Sequence, residues 1–419
     1  MSAQSSGRAP RHVVVAGAGI VGLSTAWFLQ ERGVEVTVVD RVGVAGGSSW
    51  GNAGWLAPAL TTPLPEPAVL AYGLKAVLSP SSPVYVPLRF DAGLIRFLAG
   101  FARNSTPRRW RRSMAVFAGL GRDGLAAYET LAASGVAAEV RDADPFLVGL
   151  GSDAALRAFT AELRHVEEAG VEVAADVLGG AEARELEPAL GPGVAAAVRL
   201  RGQRFIDPAV FVHALADAVV ARGGKLLEGV AVDGVRDLGT EVVVDSGSGE
   251  LRADAVVLAT GARLGELARP FGVRRPVQAG RGYSFSVPLD HVPAGPVYFP
   301  DVRVACTPLR GRLRVAGTME FRPPNAPRDP RRIAAIIESA RTRLAGVRWD
   351  ERTDEWVGSR PCTSDGLPLV GPTRSPRVHV AGGHGMWGVA LGPLTGREVA
   401  ATLVTGRRSG QIAAFDPLR

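Results

Sequence analysis

Three glycines and a carboxylate near the start of the chain have the spacing of a nucleotide-binding turn. Gly17, Gly19 and Gly22 follow an apolar run at residues 12–16, and Asp40 lies about twenty residues further on. The first glycine permits a tight turn, the second lets the backbone approach a pyrophosphate, and the third lets a helix pack closely on a sheet. Free N–H groups at the start of that helix attract phosphates, and Asp40 can accept hydrogen bonds from both hydroxyls of a ribose. The pattern therefore predicts a dinucleotide site.

A βαβ unit must position these residues, and its parts occur in order. The β-branched run at residues 12–16 predicts a buried parallel strand, and a helical stretch continues to about Arg32, with Gly33 suited to cap it. Residues 36–39 predict a second strand that ends on Asp40. One alternative is a glycine-rich turn in an ordinary α/β protein. Another is a membrane span over residues 12–29, which carry no formal charge, but the glycine spacing and the second strand argue against a span.

Two further stretches are rich in small residues. Residues 46–55 place Ser48, Ser49 and Asn52 among glycines, so their backbone could lie against a bulky ligand. A flexible loop is the alternative, but the position just after Asp40 favours a loop that lines the nucleotide. Residues 378–381 predict a last strand, which enters a second glycine-rich turn before the final helix.

Composition excludes several other classes. The 419 residues are 46% hydrophobic and 21% charged, which is normal for a globular protein of one large α/β domain with an insertion, or of two domains. The formal net charge is +7, but aromatic and basic residues do not interleave as in a nucleic-acid platform. Cys306 and Cys362 are too few for a disulfide framework and lack metal-ligand spacing. Residues 1–10 are polar and contain no secretory signal, so we expect a cytoplasmic protein.

The middle of the chain is predicted to be helical. Residues 91–102, 114–133 and 153–169 have apolar residues at helical spacing. The arginine-rich residues 103–112 are interpreted as a solvated turn after a core-facing helix. An apolar helix beside such a cluster could instead contact the anionic inner face of a membrane peripherally. Residues 58–87 are rich in proline and predict an irregular surface path.

The second half of the chain supplies more strands. Residues 255–258 predict an apolar strand that rejoins the nucleotide-binding sheet and enters a turn at Thr260 and Gly261. Residues 285–318 alternate in short runs split by glycine and proline, which predicts an antiparallel sheet, and a helix is expected at residues 331–344. The expected fold class is therefore α/β (α+β, two domains), with a Rossmann-like domain and a second domain built on an antiparallel sheet.

Taken in order, these motifs resemble the FAD-dependent amino-acid oxidoreductases, the family of D-amino-acid oxidase, glycine oxidase and D-amino-acid dehydrogenase. The resemblance covers nearly the whole chain. It rests on GAGIVG at 17–22 with Asp40, the loop at 48–54, Asp207-Pro208, LATGA at 258–262, RGYS at 281–284, GTMEF at 317–321, RPCTSDGLPLVG at 360–371 and GGHGMWG at 382–388. RGYS and GTMEF look most like the bacterial D-amino-acid dehydrogenase branch.

The resemblance implies FAD and the residues that hold it. The pyrophosphate would lie on Gly17, Ala18, Gly19, Ile20, Val21 and Gly22, the ribose on Asp40, and the adenine near Val232. Further implied contacts are Arg41, Ser48, Ser49, Asn52, Ala53, Gly54, Thr260 and Gly261, with Gly383, His384, Gly385, Trp387, Gly388 and Val389 bordering the isoalloxazine ring. Relatives with covalent flavin use a cysteine where Gly358 stands here, so non-covalent FAD is expected.

The resemblance also implies oxidation of the C–N bond of a small amino acid. Arg360 matches the arginine that pairs with the substrate carboxylate, and Met386 would line the pocket wall. Tyr283 and Tyr298 are candidates to close the pocket and hydrogen-bond that carboxylate, or they are ordinary sheet tyrosines. A neutral α-amine can lose its Cα hydrogen as hydride to flavin N5, and water then hydrolyses the imino acid to a 2-oxo acid. This step needs positioning rather than a catalytic base.

A D-amino acid is the expected substrate, and two alternatives stay open. A secondary amine such as sarcosine, proline or hydroxyproline would be served by almost the same motifs, and a protein of another class could bind the nucleotide without turnover. The electron acceptor is expected to be a quinone or oxygen. Sarcosine oxidases place a lysine beside the flavin to promote the reaction with oxygen, and no lysine follows Lys225 here, which favours a quinone.

We predict that the two domains are interleaved in the chain. The FAD-binding domain is expected to comprise residues 1–90, 201–275 and 351–419. Residues 91–200 would form mainly a substrate or cap domain, together with the sheet and helix at residues 276–350.

Overall fold

The structure is a computed structural model that describes residues 9–67, 82–87 and 90–419. Its strands, in chain order, are β1 His12–Ala16, β2 Glu35–Asp40, β3 Trp55–Leu56, β4 Val84–Tyr85, β5 Arg141–Asp142, β6 Phe146–Leu150, β7 Ala175–Gly179, β8 Ala196–Leu200, β9 Arg204–Phe205, β10 Lys225–Glu228, β11 Val232–Asp237, β12 Val242–Ser246, β13 Gly249–Ala253, β14 Ala255–Leu258, β15 Val277–Val287, β16 Val297–Phe299, β17 Val304–Leu309, β18 Arg312–Glu320, β19 Thr353–Thr363, β20 Leu369–Pro372 and β21 Val378–Gly382. Its α-helices are α1 Ile20–Gln30, α2 Ala92–Asn104, α3 Pro107–Ala118, α4 Leu120–Ala133, α5 Asp153–Glu168, α6 Gly180–Leu186, α7 Pro208–Ala221, α8 Leu264–Ala268, α9 Pro330–Ala340 and α10 Gly388–Thr405. Residues 68–81 of the proline-rich stretch lie outside the described ranges.

A six-stranded sheet carries the glycine turns. Its order is β10–β2–β1–β14–β21–β20, and neighbours are parallel except for the antiparallel pair β20–β21. Val13 and Val15 pack into the cluster that contains α1, α7 and α10, while Val14 packs on the other face, against the small sheet β11–β12–β13. Both faces of β1 are therefore buried, which explains its uninterrupted apolar sequence. The prediction that residues 255–258 rejoin this sheet is confirmed, since Val13 is in register with Ala255.

A larger sheet forms the second layer. Its order is β19–β15–β18–β17–β16–β6–β8–β7, with β4 beside β18. All of these pairs are antiparallel except β16–β6 and β18–β4. Helix α9 covers one face through Ile333 and Ile336. The predicted antiparallel sheet at residues 285–318 is confirmed, and so is the α/β fold class with a second, largely antiparallel sheet.

Several strands of the larger sheet have no clear signal in the sequence. β6, β7 and β8 fall between helical stretches, and β19 reads Thr-Asp-Glu-Trp-Val-Gly-Ser-Arg-Pro-Cys-Thr, which lacks a clean apolar alternation. β4 and β19 belong to this sheet although they lie within residues 1–90 and 351–419, the segments expected to bind FAD. The domain boundaries stay a prediction.

The arginine-rich stretch forms a helix, so its interpretation as a solvated turn is wrong. Helix α3 begins after Thr106, whose side chain accepts from the Arg109 N–H group at 3.4 Å. Trp110, Met114 and Phe117 are buried on one face of α3, and their spacing is that of an amphipathic helix. Within the described ranges, every helix is too short or too polar to traverse a bilayer.

Candidate active site

One cavity of about 740 Å³ lies between the two sheets. The carboxyl ends of β2, β1, β14 and β21 open on it, and this end of a parallel sheet is where α/β proteins bind ligands. The larger sheet closes the opposite side with residues from β15 to β19. The topology therefore brings the glycine turns and the predicted substrate residues to one site.

The first glycine turn is held by close backbone contacts. Gly17 has φ +118°, and a Cβ atom there would lie 2.4 Å from the carbonyl oxygen of Ala259. A Cβ atom on Gly22 would lie 1.8 Å from the carbonyl oxygen of Gly17. Gly19 is the N-cap of α1 and brings no side chain to the first turn, but the Ile20 N–H group donates to the Ser49 hydroxyl at 3.2 Å. A phosphate at the start of α1 would therefore meet the N–H groups that follow Ile20 and the Ser49 hydroxyl.

The carboxylate of Asp40 is fixed by three backbone donors. Its Oδ2 accepts from the N–H group of Ala18 at 2.9 Å, and its Oδ1 accepts from Val42 at 2.8 Å and from Gly43 at 3.1 Å. A carboxylate has about four acceptor positions, so capacity for a ribose hydroxyl remains. Asp40 therefore shapes the turn and also faces the cavity.

Most of the predicted cofactor residues line the cavity, and four do not. The lining set contains Gly17, Gly19, Ile20, Val21, Asp40, Arg41, Ser48, Ser49, Asn52, Ala53, Val232, Thr260, Gly261, His384, Gly385, Trp387, Gly388 and Val389. Ala18, Gly22, Gly54 and Gly383 lie behind it and shape its turns. The hydroxyl of Thr260 is buried without a hydrogen-bond partner in the described part of the chain. An unsatisfied hydroxyl, a helix start capped by a glycine and a fixed carboxylate along one cavity fit a dinucleotide such as FAD.

The last glycine-rich turn borders the middle of the cavity. A 3-10 turn, Gly385–Trp387, leads directly into α10. The indole of Trp387 donates to the carbonyl oxygen of Thr62 at 2.6 Å, and the imidazole Nε2 of His384 pairs with the hydroxyl of Thr395 at 2.8 Å. Burial lowers the pKa of His384 to about 4, so the ring is neutral at physiological pH. This arrangement holds the turn and the helix start against whatever fills the cavity.

Arg360 lines the cavity from β19 and has no acidic partner in the described ranges. Its Nη1 donates to the carbonyl oxygen of Thr318 at 3.0 Å. Gly282 on β15 makes room for it, since a Cβ atom there would come within 2.2 Å of Nη2. Burial lowers the pKa of Arg360, but an arginine stays protonated at neutral pH. A guanidinium without an acidic partner has donors that can pair with a carboxylate.

The two tyrosines are placed differently. Tyr283 donates its hydroxyl proton to Glu320 at 2.8 Å and accepts from the Asp329 N–H group at 3.1 Å. Since its proton is used inside the sheet, the structure favours the role of a sheet tyrosine. Tyr298 lies on β16, away from Arg360 and beside Arg303. Each ring contributes to the cavity wall.

An apolar lobe lies next to Arg360. Met386 lines the cavity there and packs against a cluster that contains Phe97, Phe101 and Met319. Neither cysteine lines the cavity, and burial raises the pKa of Cys362 to about 12. The site therefore offers no exposed thiolate to the cofactor.

Besides Arg263, which pairs with Glu266, the sequence patterns missed three charged residues of the cavity wall, Glu66, Glu162 and Arg303. Glu66 lies in the proline-rich stretch, and Glu162 occupies a position of α5 that looks solvent-facing in an amphipathic helix. Arg303 lies in a turn between two strands. No local motif marks any of them, because only the packing of α5 and the loop over the larger sheet brings them together.

Comparisons with known proteins agree with this geometry. Residues 12–402 match the family described as FAD dependent oxidoreductase. A D-amino acid dehydrogenase from Methylobacterium nodulans is 34% identical over 417 residues, covering 94% of this chain and 95% of that protein. One from Cereibacter sphaeroides is 31% identical over 406 residues, covering 94% and 92%.

Solved structures share the fold. Glycine oxidase from Geobacillus kaustophilus matches with a TM-score of 0.74 at 21% identity, covering 99% of both chains. L-proline dehydrogenase from P. horikoshii matches with a TM-score of 0.70 at 18% identity, covering 98% of both chains. These likenesses confirm the two-domain fold class, and the family match confirms FAD as the cofactor. The chain belongs to the family of FAD-dependent oxidoreductases.

Proposed function

We propose that this enzyme oxidises the C–N bond of an amino acid, with D-amino acids as its preferred substrates. The observation that carries the proposal is the Arg360 guanidinium, which lines the flavin cavity without a described acidic partner. A substrate carboxylate would supply the missing anion. The relatives named D-amino acid dehydrogenase support the D configuration.

The role of Arg360 is to bind and orient. A planar guanidinium can hold a carboxylate through two parallel hydrogen bonds, which fixes the direction of the neighbouring Cα–H bond. The bond between Arg360 and the Thr318 carbonyl oxygen restrains the guanidinium before substrate arrives. Orientation of this kind lowers the barrier without any acid or base.

The cofactor supplies the redox chemistry and the protein supplies the surroundings. A bound FAD would supply the acceptor for a hydride equivalent from the amino acid, and water would hydrolyse the resulting imino acid to a 2-oxo acid and ammonia. The start of α10 and the 3-10 turn before it border the cavity, and their backbone N–H groups would stabilise negative charge on a bound flavin. The apolar lobe at Phe97, Phe101 and Met386 excludes water from the same region.

A secondary amine is the second candidate substrate class. L-proline dehydrogenase shares the fold, and a ring nitrogen would be oxidised by the same hydride step. None of the described residues that line the cavity distinguishes a primary from a secondary amine by itself. The identity of the close relatives favours the primary D-amino acids.

An anaerobic screen tests the proposal. The purified holoenzyme is mixed without oxygen with D-, L- and N-methyl amino acids, and loss of flavin absorbance is followed. We expect D-amino acids to bleach the flavin fastest. Faster bleaching by N-methyl amino acids or proline would favour the second candidate, and no bleaching by any amine would reject the function.

A further inference from the structure

A second charged cluster faces the same cavity as Arg360. Glu66 comes from the loop after β3, Glu162 from α5, Tyr298 from β16 and Arg303 from the turn after β16. Arg303 has a left-handed backbone conformation with φ +57°, which is uncommon outside glycine. Four separate elements thus converge on this end of the cavity, which we call the acidic end.

The carboxylates of the acidic end exceed its fixed positive charge. Neither Glu66 nor Glu162 forms a side-chain hydrogen bond or an ion pair within 4.0 Å in the described part of the chain. Burial and the charge of Glu66 raise the pKa of Glu162 to about 7, and Arg303 offsets only part of this effect. Burial likewise raises the pKa of Glu66, against the opposing charges of Arg303 and His165. Among the described residues, Arg303 and, at Glu66, His165 oppose two carboxyl groups whose ionised forms burial disfavours, so a further cation would stabilise those ionised forms.

The larger sheet connects Arg360 with the acidic end. The Arg360 guanidinium reaches β18 at Thr318. On the same strand Ala316 is in register with Ala305 of β17, which is in register with Tyr298 of β16. All three line the cavity, so the path runs across two strand spacings, about 10 Å. Because Ala316 and Ala305 have short side chains, the cavity above them has room for an extended substrate side chain.

We propose that the acidic end binds a cationic side chain, so that the preferred substrates are basic amino acids such as lysine, ornithine and arginine. This inference rests on the proposed function, because Arg360 must hold the α-carboxylate. A lysine side chain, with its flexible four-carbon stem, would lie over Ala316 and Ala305. Its ammonium group would then meet the carboxylates of Glu66 and Glu162.

An acidic side chain is the opposite possibility, since Arg303 is also a cation. Tyr298 lies against Arg303, and both glutamates act on it electrostatically. A carboxylate brought to Arg303 would have to approach these two negative charges. The cluster therefore favours a cation over an anion.

A comparison of two substrates that differ mainly in side-chain charge tests this inference. D-lysine and D-norleucine have side chains of closely similar shape, but only the first carries a charge. We expect kcat/KM for flavin reduction to be at least tenfold higher with D-lysine than with D-norleucine, and lowest with D-glutamate. Equal values for the first two, or a preference for D-glutamate, would overturn the inference while leaving the proposed function intact. Failure of every amino acid would reject the proposed function instead.

Substitutions of the two glutamates test whether they cause the preference for a cationic side chain. Glu162→Gln and, separately, Glu66→Gln should each lower the ratio of kcat/KM for D-lysine to that for D-norleucine by about tenfold or more. Glu168→Gln is the matched control, because Glu168 lies on the same helix and is exposed. A ratio that stays at the wild-type value in both test variants would overturn the assignment. The ratio is measured within one protein, so a partly folded preparation does not distort it.

Discussion

The guanidinium of Arg360 donates a hydrogen bond to the carbonyl oxygen of Thr318, and Thr318 has a left-handed backbone conformation with φ +59°. A β-branched residue rarely adopts this conformation, which costs on the order of 1–3 kcal/mol. Thr318 lies at a bulge of β18, and the flanking pairs Gly317–Tyr283 and Glu320–Arg281 hold it there. The backbone of Thr318 is therefore strained, and Thr318 is the residue whose carbonyl oxygen restrains Arg360, the proposed anchor of the substrate carboxylate.

Arg360→Ala should lower kcat/KM for flavin reduction by an amino acid by roughly 10- to 100-fold, because charged hydrogen bonds contribute about 1.5–3 kcal/mol. Arg360→Lys should lower kcat/KM less, since lysine keeps the positive charge but cannot form two parallel hydrogen bonds to the carboxylate. Stopped-flow reduction without oxygen gives both values, and FAD content should stay normal. Wild-type rates in Arg360→Ala would show that another residue holds the carboxylate.

Tyr283→Phe should destabilise the fold and leave substrate affinity nearly unchanged. The phenol satisfies Glu320, which is fully buried, and the N–H group of Asp329. Removing it takes one hydrogen bond from Glu320, which keeps its ion pair with Arg281 at 2.8 Å, and leaves the Asp329 N–H group unpaired, at a cost of about 1–3 kcal/mol. Thermal unfolding and the KM for a D-amino acid separate the two effects. A large rise in KM with unchanged stability would show that Tyr283 contacts the substrate.

Asp40→Ala should weaken FAD binding by about 2–3 kcal/mol and also lower the unfolding temperature of the FAD-free protein. The second effect follows from the three backbone donors that the carboxylate satisfies. Equilibrium dialysis with FAD and thermal unfolding of the apoprotein measure the two separately. Unchanged FAD affinity would reduce Asp40 to a structural residue of the turn.

Acid precipitation should release all of the yellow colour from the protein. Cys306 and Cys362 are almost completely buried and lie outside the cavity wall, so neither thiol can reach a flavin. The absorbance of the supernatant and of the redissolved pellet measures the released and the bound fractions. Flavin retained in the pellet would indicate a covalent bond through another residue.

Oxygen should reoxidise the reduced enzyme slowly compared with a quinone analogue. No lysine occurs among the described residues that line the cavity, and Lys225 lies on β10 at the edge of the six-stranded sheet. Stopped-flow mixing of reduced enzyme with air-saturated buffer or with the quinone gives the two rates. A faster reaction with oxygen would identify an oxidase.

The nucleotide half of the site was predictable from the sequence because its chemistry depends on backbone. Gly17 and Gly22 are required by contacts within a few residues or between adjacent strands, and Asp40 follows at a fixed spacing. Requirements of this kind appear in the sequence as a short motif, which can be identified without the structure. Arg360 was predictable only through its resemblance to a family motif, since a lone arginine before a proline carries no local signal.

The rest of the site depends on contacts between distant segments. Glu162 became a cavity residue because α5 packs over β6 and β8, which had no clear strand signal. Tyr283 looks the same in sequence whether its hydroxyl faces a substrate or Glu320, and the two residues are brought together only by the β15–β18 pairing. Side-chain partners of this kind cannot be deduced from the spacing of residues along the chain.

The order of strands in the six-stranded sheet has a consequence for synthesis on the ribosome. β1 is made first, but its neighbour β14 ends at Leu258, and β14 in turn pairs with β21, which ends at Gly382. A nascent chain therefore carries a complete glycine turn long before it carries a complete sheet. Until the last strand emerges, the apolar edge of β14 has no partner and is open to association with other chains. Since residues 384–389 after β21 also line the cavity, the complete flavin site can form only after this last strand has been made.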